Sequence, residues 1–570
     1  MVPLVVFLNE RMASLPFREM LVSRLRGCPL PIQVFVACSN DDLRGIPADL
    51  KTSAMLLIAT KGFVAISAPS ASSRSACLSC VKHWLLTSDR IFELSDMDAG
   101  PHEAVIAADL INHALSPDKL GDPELQNTIK TFDVLQEKQS VHPVYPVRDC
   151  SSCSTINIGQ GWGLRIHCSS FAGIVTKMHL TTKRAAGAYR AIAEWASPLP
   201  ASNARPFLKA QEAHGRGRTR EEAEQGCIGE ALERYSLIYR GDERLERGRL
   251  EEVDGVDPRD ILLYSETQYE SRERWNGAAD ERYFVAERFD PSQEIDWFPG
   301  FDLENGSRKL LPAGCVLMWY QFRGGEPEYA RADTVGCGSG VTFEDAMAHA
   351  LLEWIERDAM AIWWYNRVRR PAINIESFRS QDMLDVRDDL RKIGRSLFLL
   401  DCTTDFGIPT FISVAPRYDG TELLFAGASH WSPRVAAWKA ASEVGQLWFA
   451  AVHAQAVDTE LKSWLTESLE TQPYLLPTHE INAPEEPVPL DSGEQVKAIV
   501  DRFRKVGLNT YAADLSRADV LLRTARAVVP GLRHIWNRRA PGRLYDVPVR
   551  LGWQESRLPE HQLNPICCMI

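Results

Sequence analysis

Glu230, Glu233 and Arg234 stand at positions i, i+3 and i+4, and Glu353, Glu356 and Arg357 repeat that spacing 123 positions on. The frame around them repeats as well. Gly217, Thr219, Glu221, Glu222 and Ala223 in the first copy match Gly340, Thr342, Glu344, Asp345 and Ala346 in the second. On a helix, residues three and four apart share one face. Two such faces bring four carboxylates and two guanidinium groups around one site. Hard oxygen ligands suit Mg2+, which takes one or two carboxylates together with phosphate oxygens. Arginine grips phosphate bidentately. A nucleoside triphosphate with magnesium is the ligand that fits this set best. A single E-x-x-E-R reads most simply as a solvated face with local ion pairs. The argument for a site is that glycine, cap, alanine and acids all recur in step.

A third, weaker copy follows. Ala436, Glu443 and Gln446 lie 213 positions after Ala223, Glu230 and Glu233, and Leu447 stands where an arginine would follow. The period is far beyond the roughly 20–50 residues of repeat arrays, so these are duplicated supersecondary units. Thr219 with Glu222, and Thr342 with Asp345, have capping-box spacing, which starts a helix just after each glycine cluster. Gly215-Arg216-Gly217 and Gly338-Ser339-Gly340 then read as loose backbone at helix N-termini, where the dipole suits phosphate. His349 and His430 have no partner at metal spacing and read as core or surface residues. Cys227 and Cys337 have no nearby His to activate them and read as small packing residues.

The elements carrying these residues are mixed. LFLLDCT, TFISVAP, ELLFAGA and TARAVVPG read as strands between the helices, as do VPLVVFL, IQVFVAC and MLLIAT nearer the N-terminus. Residues 1–157 form one predicted domain and 158–570 a second. In the first, Cys77, Cys80, Cys150 and Cys153 make two C-x-x-C hooks, a set suited to one structural tetrahedral Zn2+. Residues 240–290 read as charged surface, and 456–495 as a long surface loop.

Composition bounds the rest. The chain is 45% hydrophobic and 25% charged, with a formal net charge of −12. That balance argues against nucleic acid as a partner. The sequence has no apolar run long enough to span a membrane. The N-terminus lacks a basic n-region and reads as a buried strand, which makes the cytoplasm the expected compartment.

At these motifs the sequence resembles the YcaO family, specifically its azoline-forming cyclodehydratases of ribosomal peptide natural products. GRGRTREEAEQGCIGEALERYS is similar to the family's G-K-G-x-T and E-R segment, and DTVGCGSGVTFEDAMAHALLEWIERDA to its S-N-G and E-x-x-E-R-D segment. AGASHWSPRVAAWKAASEVGQ is similar to the A-x6-E-x-x-Q segment, and ARAVVPGLRHIW and GRLYDVPVRLGW to the C-terminal strands. Residues 1–157 resemble a truncated E1-like (ThiF-like) domain, with Cys77, Cys80, Cys150 and Cys153 at its zinc cysteines.

The resemblance implies a mixed α/β YcaO domain with internally duplicated helix-bearing units, plus a smaller N-terminal α/β zinc-containing E1-like domain. It implies ATP, Mg2+ and structural Zn2+. It implies that Glu230, Glu233, Glu353 and Glu356 are magnesium and nucleotide carboxylates, that Asp345 meets the nucleoside, and that Arg216, Arg357, Glu443 and Gln446 complete the nucleotide site. The implied partners are a ribosomal precursor peptide, a separate leader-binding E1-like protein, a flavin dehydrogenase and further copies of the chain. The implied reaction converts Cys, Ser or Thr of the peptide to thiazoline or oxazoline. Thioamide or amidine formation and a non-catalytic scaffold are the alternatives. Four departures stand out: Arg216 for Lys, Gly226 for Ser, Val335 for Asn, and LNPICCMI where relatives carry a proline-rich tail. Cys567 and Cys568 in that tail read as flexible-tail thiols.

Overall fold

The computed structural model describes residues 211–277, 281–323, 326–453 and 464–568, together with shorter stretches of residues 1–196. The N-terminal sheet contains β1 (Leu4–Phe7), β2 (Gln33–Ala37), β3 (Ala54–Thr60), β4 (Phe63–Ser67), β5 (Thr128–Asp133) and β6 (Lys138–Pro143), in that spatial order. β1 to β3 run parallel and β3 to β6 antiparallel. The alternation of side chains explains why both faces are apolar. Val34, Val36, Met55 and Leu57 pack on helices α1 (Leu15–Arg24) and α2 (Pro101–Ala114). Phe35, Ala37, Leu56 and Ile58 face the other way, into a cluster that reaches Ala191, Ala213 and Leu232. The predicted boundary at 157/158 lies outside the described residues.

Three further sheets follow. β7 (Val175–Leu180), β8 (Tyr189–Trp195) and β9 (Glu212–Gly217) form an antiparallel ribbon that leads into helix α3 (Arg220–Leu237). A six-stranded antiparallel sheet holds β10 (Glu246–Gly248), β11 (Ile295–Asp302), β12 (Arg308–Pro312) and β13 (Cys337–Gly340). β13 runs into the 24-residue helix α4 (Phe343–Asn366). A five-stranded sheet has the order β17–β16–β15–β14–β18. Its strands are β14 (Ala372–Ile373), β15 (Phe398–Asp401), β16 (Thr410–Val414), β17 (Phe425–Ser429) and β18 (Glu480–Ile481), and helix α5 (Gln381–Lys392) falls between β14 and β15. β17 leads into α6 (Pro433–His453), and α7 (Ser492–Lys505) then leads to β19 (Tyr511–Asp514) and β20 (Arg523–Val528), which complete the six-stranded sheet. The runs VPLVVFL, IQVFVAC, MLLIAT, LFLLDCT, TFISVAP, ELLFAGA and TARAVVPG each contain a strand. Among the described residues, no helix is long and apolar enough to cross a membrane.

Four expectations need correction. GRLYDVPVRLGW is not a strand but helix α8 (Arg543–Arg550). Its buried Leu544, Tyr545, Val547 and Pro548 follow a helical period rather than an alternation. Pro548 has no N–H for the Leu544 carbonyl, and Asn366 Nδ2 supplies the missing donor at 2.8 Å. The stretch 240–290 carries its own buried residues, Leu262, Tyr264 and Val285, packed on Trp297. Among the described residues of 456–495, Trp464, Tyr474 and Leu475 are buried and β18 joins a sheet, and the longest exposed run is 484–489. Cys567 and Cys568 are not flexible-tail thiols; both are fully buried. The tail is held where Ile566 O accepts from Trp364 Nε1 at 2.7 Å and Cys567 N–H donates to Tyr283 at 3.0 Å.

Candidate functional site

The three sequence copies are three strand–helix units: β9 with α3, β13 with α4, and β17 with α6. Each strand lies at the edge of a different sheet. Each helix opens on a hydroxyl. Thr219 accepts from Glu222 N–H and Thr342 from Asp345 N–H, both at 3.1 Å, and Ser432 accepts from Val435 N–H at 3.3 Å. The second copy closes a full capping box, since Asp345 accepts from Thr342 N–H at 3.1 Å. In the first, Glu222 reaches Arg218 N–H instead, at 2.7 Å.

The glycine clusters are strand residues rather than loose loops. A Cβ on Gly215 would come within 2.0 Å of Ala223 O, and one on Gly338 within 2.2 Å of Ala346 O. These glycines let each helix press directly onto its strand. Ala223 and Ala346 recur for the same reason.

The units close on one another pairwise. Ser339 Oγ donates to Gly229 O at 3.3 Å, Ser429 N–H donates to Glu356 at 3.3 Å, and Arg216 Nη2 donates to Glu443 at 2.8 Å. Between them lies a cleft of about 910 Å³. Glu230, Glu233, Asp345, Glu353, Glu356, Arg357, Arg216 and Glu443 all line it. Gln446 belongs to α6, and its side chain lies outside the described residues.

The carboxylates are crowded. Glu230 accepts from His214 N–H at 2.9 Å and pairs with Arg234. Glu353 accepts from Gly336 N–H at 3.0 Å and from Arg357 at 3.3 Å, and Arg357 also lies 3.0 Å from Glu356. Burial first, then the charges of Glu353 and Glu230, push the Glu233 carboxyl up to about 8. Burial likewise raises Glu353 and Glu356 against the pull of Arg357. Asp345 is lowered, chiefly by the hydroxyl of Ser492. Six carboxylates face four cations, so the cleft carries an excess of negative charge. Among the described residues no three of these side chains form a ready-made metal site; Mg2+ takes only one or two carboxylates together with phosphate oxygens, and the all-oxygen donors suit that chemistry. Arg357 Nε is buried without a hydrogen-bond partner, an unused donor in the cleft wall.

Two cleft residues carried no signal in the sequence read one motif at a time. Lys439 lines the cleft, and burial, then Arg216, lowers its pKa. His349 lines it too, a surface histidine satisfied by Ser339 O, to which Nδ1 donates at 2.9 Å. Gly226, His349 and Lys439 occupy the same position in the three copies, four residues before Glu230, Glu353 and Glu443. Aligning the copies at that position would have found both. Cys227 packs as expected: its thiol donates to Ala213 O at 3.2 Å, and burial pushes it up to about 12. Of the zinc set only Cys80 is described, and it is buried; Cys77, Cys150 and Cys153 lie outside the described residues. No described tail residue lines the cleft.

Residues 214–533 match the YcaO family, described as YcaO cyclodehydratase, ATP- and Mg2+-binding. A heterocyclase solved in complex with substrate and cofactor superposes with a TM-score of 0.87 at 25% identity, covering 99% of this chain and 85% of that one. The heterocyclase TruD superposes at 0.78 and 24% identity, over 100% and 84% of the two chains, a likeness of fold. An uncharacterized protein of Methanothermobacter thermautotrophicus is 25% identical over 331 residues, 56% of this chain and 80% of its own length. With three carboxylate-bearing helices around one cleft and the match spanning all three, the chain belongs to the YcaO family and is an ATP-dependent peptide cyclodehydratase.

Proposed function

We propose that the cleft binds ATP with Mg2+ and that the protein forms azoline rings in a ribosomally made precursor peptide. The observation that carries this reading is the convergence of half-buried carboxylates on one cleft, from Glu230, Glu233, Glu353, Glu356 and Glu443. In it, the four E-x-x-E carboxylates hold the magnesium and Asp345 meets the nucleoside. Arg216, Arg357, Glu443 and Gln446 complete the nucleotide site, with Lys439 beside them. When bound, the magnesium neutralises phosphate charge and helps orient the γ-phosphate.

The chemistry follows from positioning and electrostatics. The side-chain sulfur or oxygen of a substrate Cys, Ser or Thr adds to the preceding carbonyl carbon. The resulting oxygen takes the γ-phosphoryl group, and ADP leaves. The C–O bond to phosphate then breaks as the former amide nitrogen gives up its proton and forms C=N. The balance is peptide plus ATP to azoline, ADP and phosphate. We read residues 1–157 as the E1-like, Zn2+-binding domain and 158–570 as the catalytic one. A leader-binding protein, a flavin dehydrogenase and a second copy of the chain are the proposed partners, and the cytoplasm the proposed compartment.

The test combines the protein, its neighbouring leader-binding protein, a Cys/Ser-rich precursor, ATP and magnesium. The precursor should lose the mass of one water per ring. Glu233→Ala and Glu356→Ala should each lower the rate by about a hundredfold or more, the loss seen when a preorganised electrostatic contact is removed. Ring formation at the normal rate in both variants would overturn the site assignment.

A further inference from the structure

A second cavity, of about 530 Å³, runs along the neighbouring face of α3. Leu164, Arg165, Leu180, Glu221, Glu224 and Ile228 border it. On its border the exposed Arg165 makes two bonds to the buried Glu224, at 2.6 and 2.5 Å. Leu164 and Gln225 border both this groove and the carboxylate cleft, so the two spaces meet across a ridge one side chain high.

Beside that ridge stands Gly226, on the cleft side. An interior helical glycine costs roughly 0.5–1 kcal/mol relative to alanine. Among the described residues, nothing in the packing asks for it here. A Cβ would meet only Gly215 Cα at 3.9 Å and Arg216 O at 4.0 Å, and the residue does not have positive φ. In the two other copies the same position puts His349 and Lys439 into the cleft. The first copy alone leaves the space open, on the side where the groove joins.

We propose that this groove holds the segment of substrate peptide flanking the reacting residue, and that Gln225 and Gly226 form the passage into the cleft. The proposal rests on the reading of the cleft as the ATP site. A peptide is a linear chain, so a residue reacting inside the cleft must have neighbours that leave it. The groove adjoins the cleft at Leu164 and Gln225 and offers them space, and its mix of aliphatic and charged walls suits a peptide of mixed character.

The test measures binding and needs no turnover. A fluorescein-labelled Gly- and Ala-rich peptide with one central Cys is titrated into the full-length protein holding a non-hydrolysable ATP analogue. Glu221→Trp fills the groove without touching the cleft, and Gln225→Trp fills the passage; both positions are exposed, so the fold should survive. Each should weaken the peptide by about tenfold, and Glu221→Trp, at a position that lines the groove alone, should leave analogue affinity unchanged. Acetyl-Gly-Cys-amide, too short to reach the groove, should compete equally well in wild type and Glu221→Trp. Unchanged peptide affinity in both variants would overturn the proposal, as would an equal loss of the short peptide or a loss of analogue binding in Glu221→Trp. If wild type binds peptide in this pattern yet forms no ring, the groove stands and the proposed chemistry falls.

Discussion

Glu233 is the residue whose protonation says most about the cleft. Its folded value of about 8 stands above the ordinary 4.5. Between those values the folded protein holds a proton that the unfolded chain has released. This group therefore favours folding at low pH, and its contribution is lost as pH rises through that window. The metal-free protein should show a falling Tm from pH 5 to 8. Glu233→Gln should flatten the fall, and magnesium with an ATP analogue should restore most of the loss at pH 8. A Tm that rises over this range, unaffected by Glu233→Gln, would contradict the charge surplus. A second residue-scale prediction concerns His534. Its Nδ1 accepts from Trp536 N–H at 2.9 Å, so Nε2 carries the proton toward Asp333, 2.8 Å away. Asp333 in turn accepts from Val335 N–H at 2.7 Å, and the next residue, Gly336, donates to Glu353. His534→Ala leaves Asp333 buried without that donor, and should destabilise by about 1–3 kcal/mol while lowering affinity for the ATP analogue. Urea unfolding and a binding titration check the two parts.

At the scale of elements, the strand–helix units depend on contact too close for a side chain. Gly215→Ala and Gly338→Ala should each destabilise by about 1–3 kcal/mol or more, because the new methyl meets helix backbone that cannot move aside; Gly226→Ala should be neutral or slightly stabilising. Thermal unfolding separates the three. Asn366→Ala orphans the carbonyl that Pro548 leaves open, at about 1–3 kcal/mol. This is also where the limits of the sequence lie. The E-x-x-E-R faces were legible because carboxylates, caps and small residues all repeat at one offset. The glycines were visible but misread, because a glycine under a helix and a glycine in a phosphate loop are the same letter. Leu544 to Pro548 were misread because a short apolar run with a proline carries no clear period. Lys439 and His349 are single basic residues on helices, and only the superposition of the copies gives them meaning.

At the scale of the molecule, the cleft stands on a buried ionic lock. Asp358, fully buried on α4 beside the cleft residue Arg357, binds Arg543 at 2.6 and 3.1 Å and Arg533 N–H at 2.9 Å. Arg543 also binds Asp405 at 2.8 and 3.1 Å. Asp358→Ala leaves that guanidinium without its inner partner and should cost about 3–5 kcal/mol, read by denaturant unfolding. None of this network was legible in the sequence, because its members are scattered over nearly 200 positions and share no spacing.

The bond from Arg216 to Glu443 joins residues 227 positions apart, and that separation has a kinetic consequence. Closing so long a loop carries an entropy cost that only the finished fold repays. Until that loop closes, the strand–helix units of the separate sheets are not held together and the cleft between them is not formed. On the proposed reading of the cleft, a nucleotide should therefore bind the completed fold and not its partly folded forms, and each tenfold of ligand above its dissociation constant should add about 1.4 kcal/mol to the completed fold alone. An ATP analogue should then slow unfolding, by holding the last loop shut once it has closed.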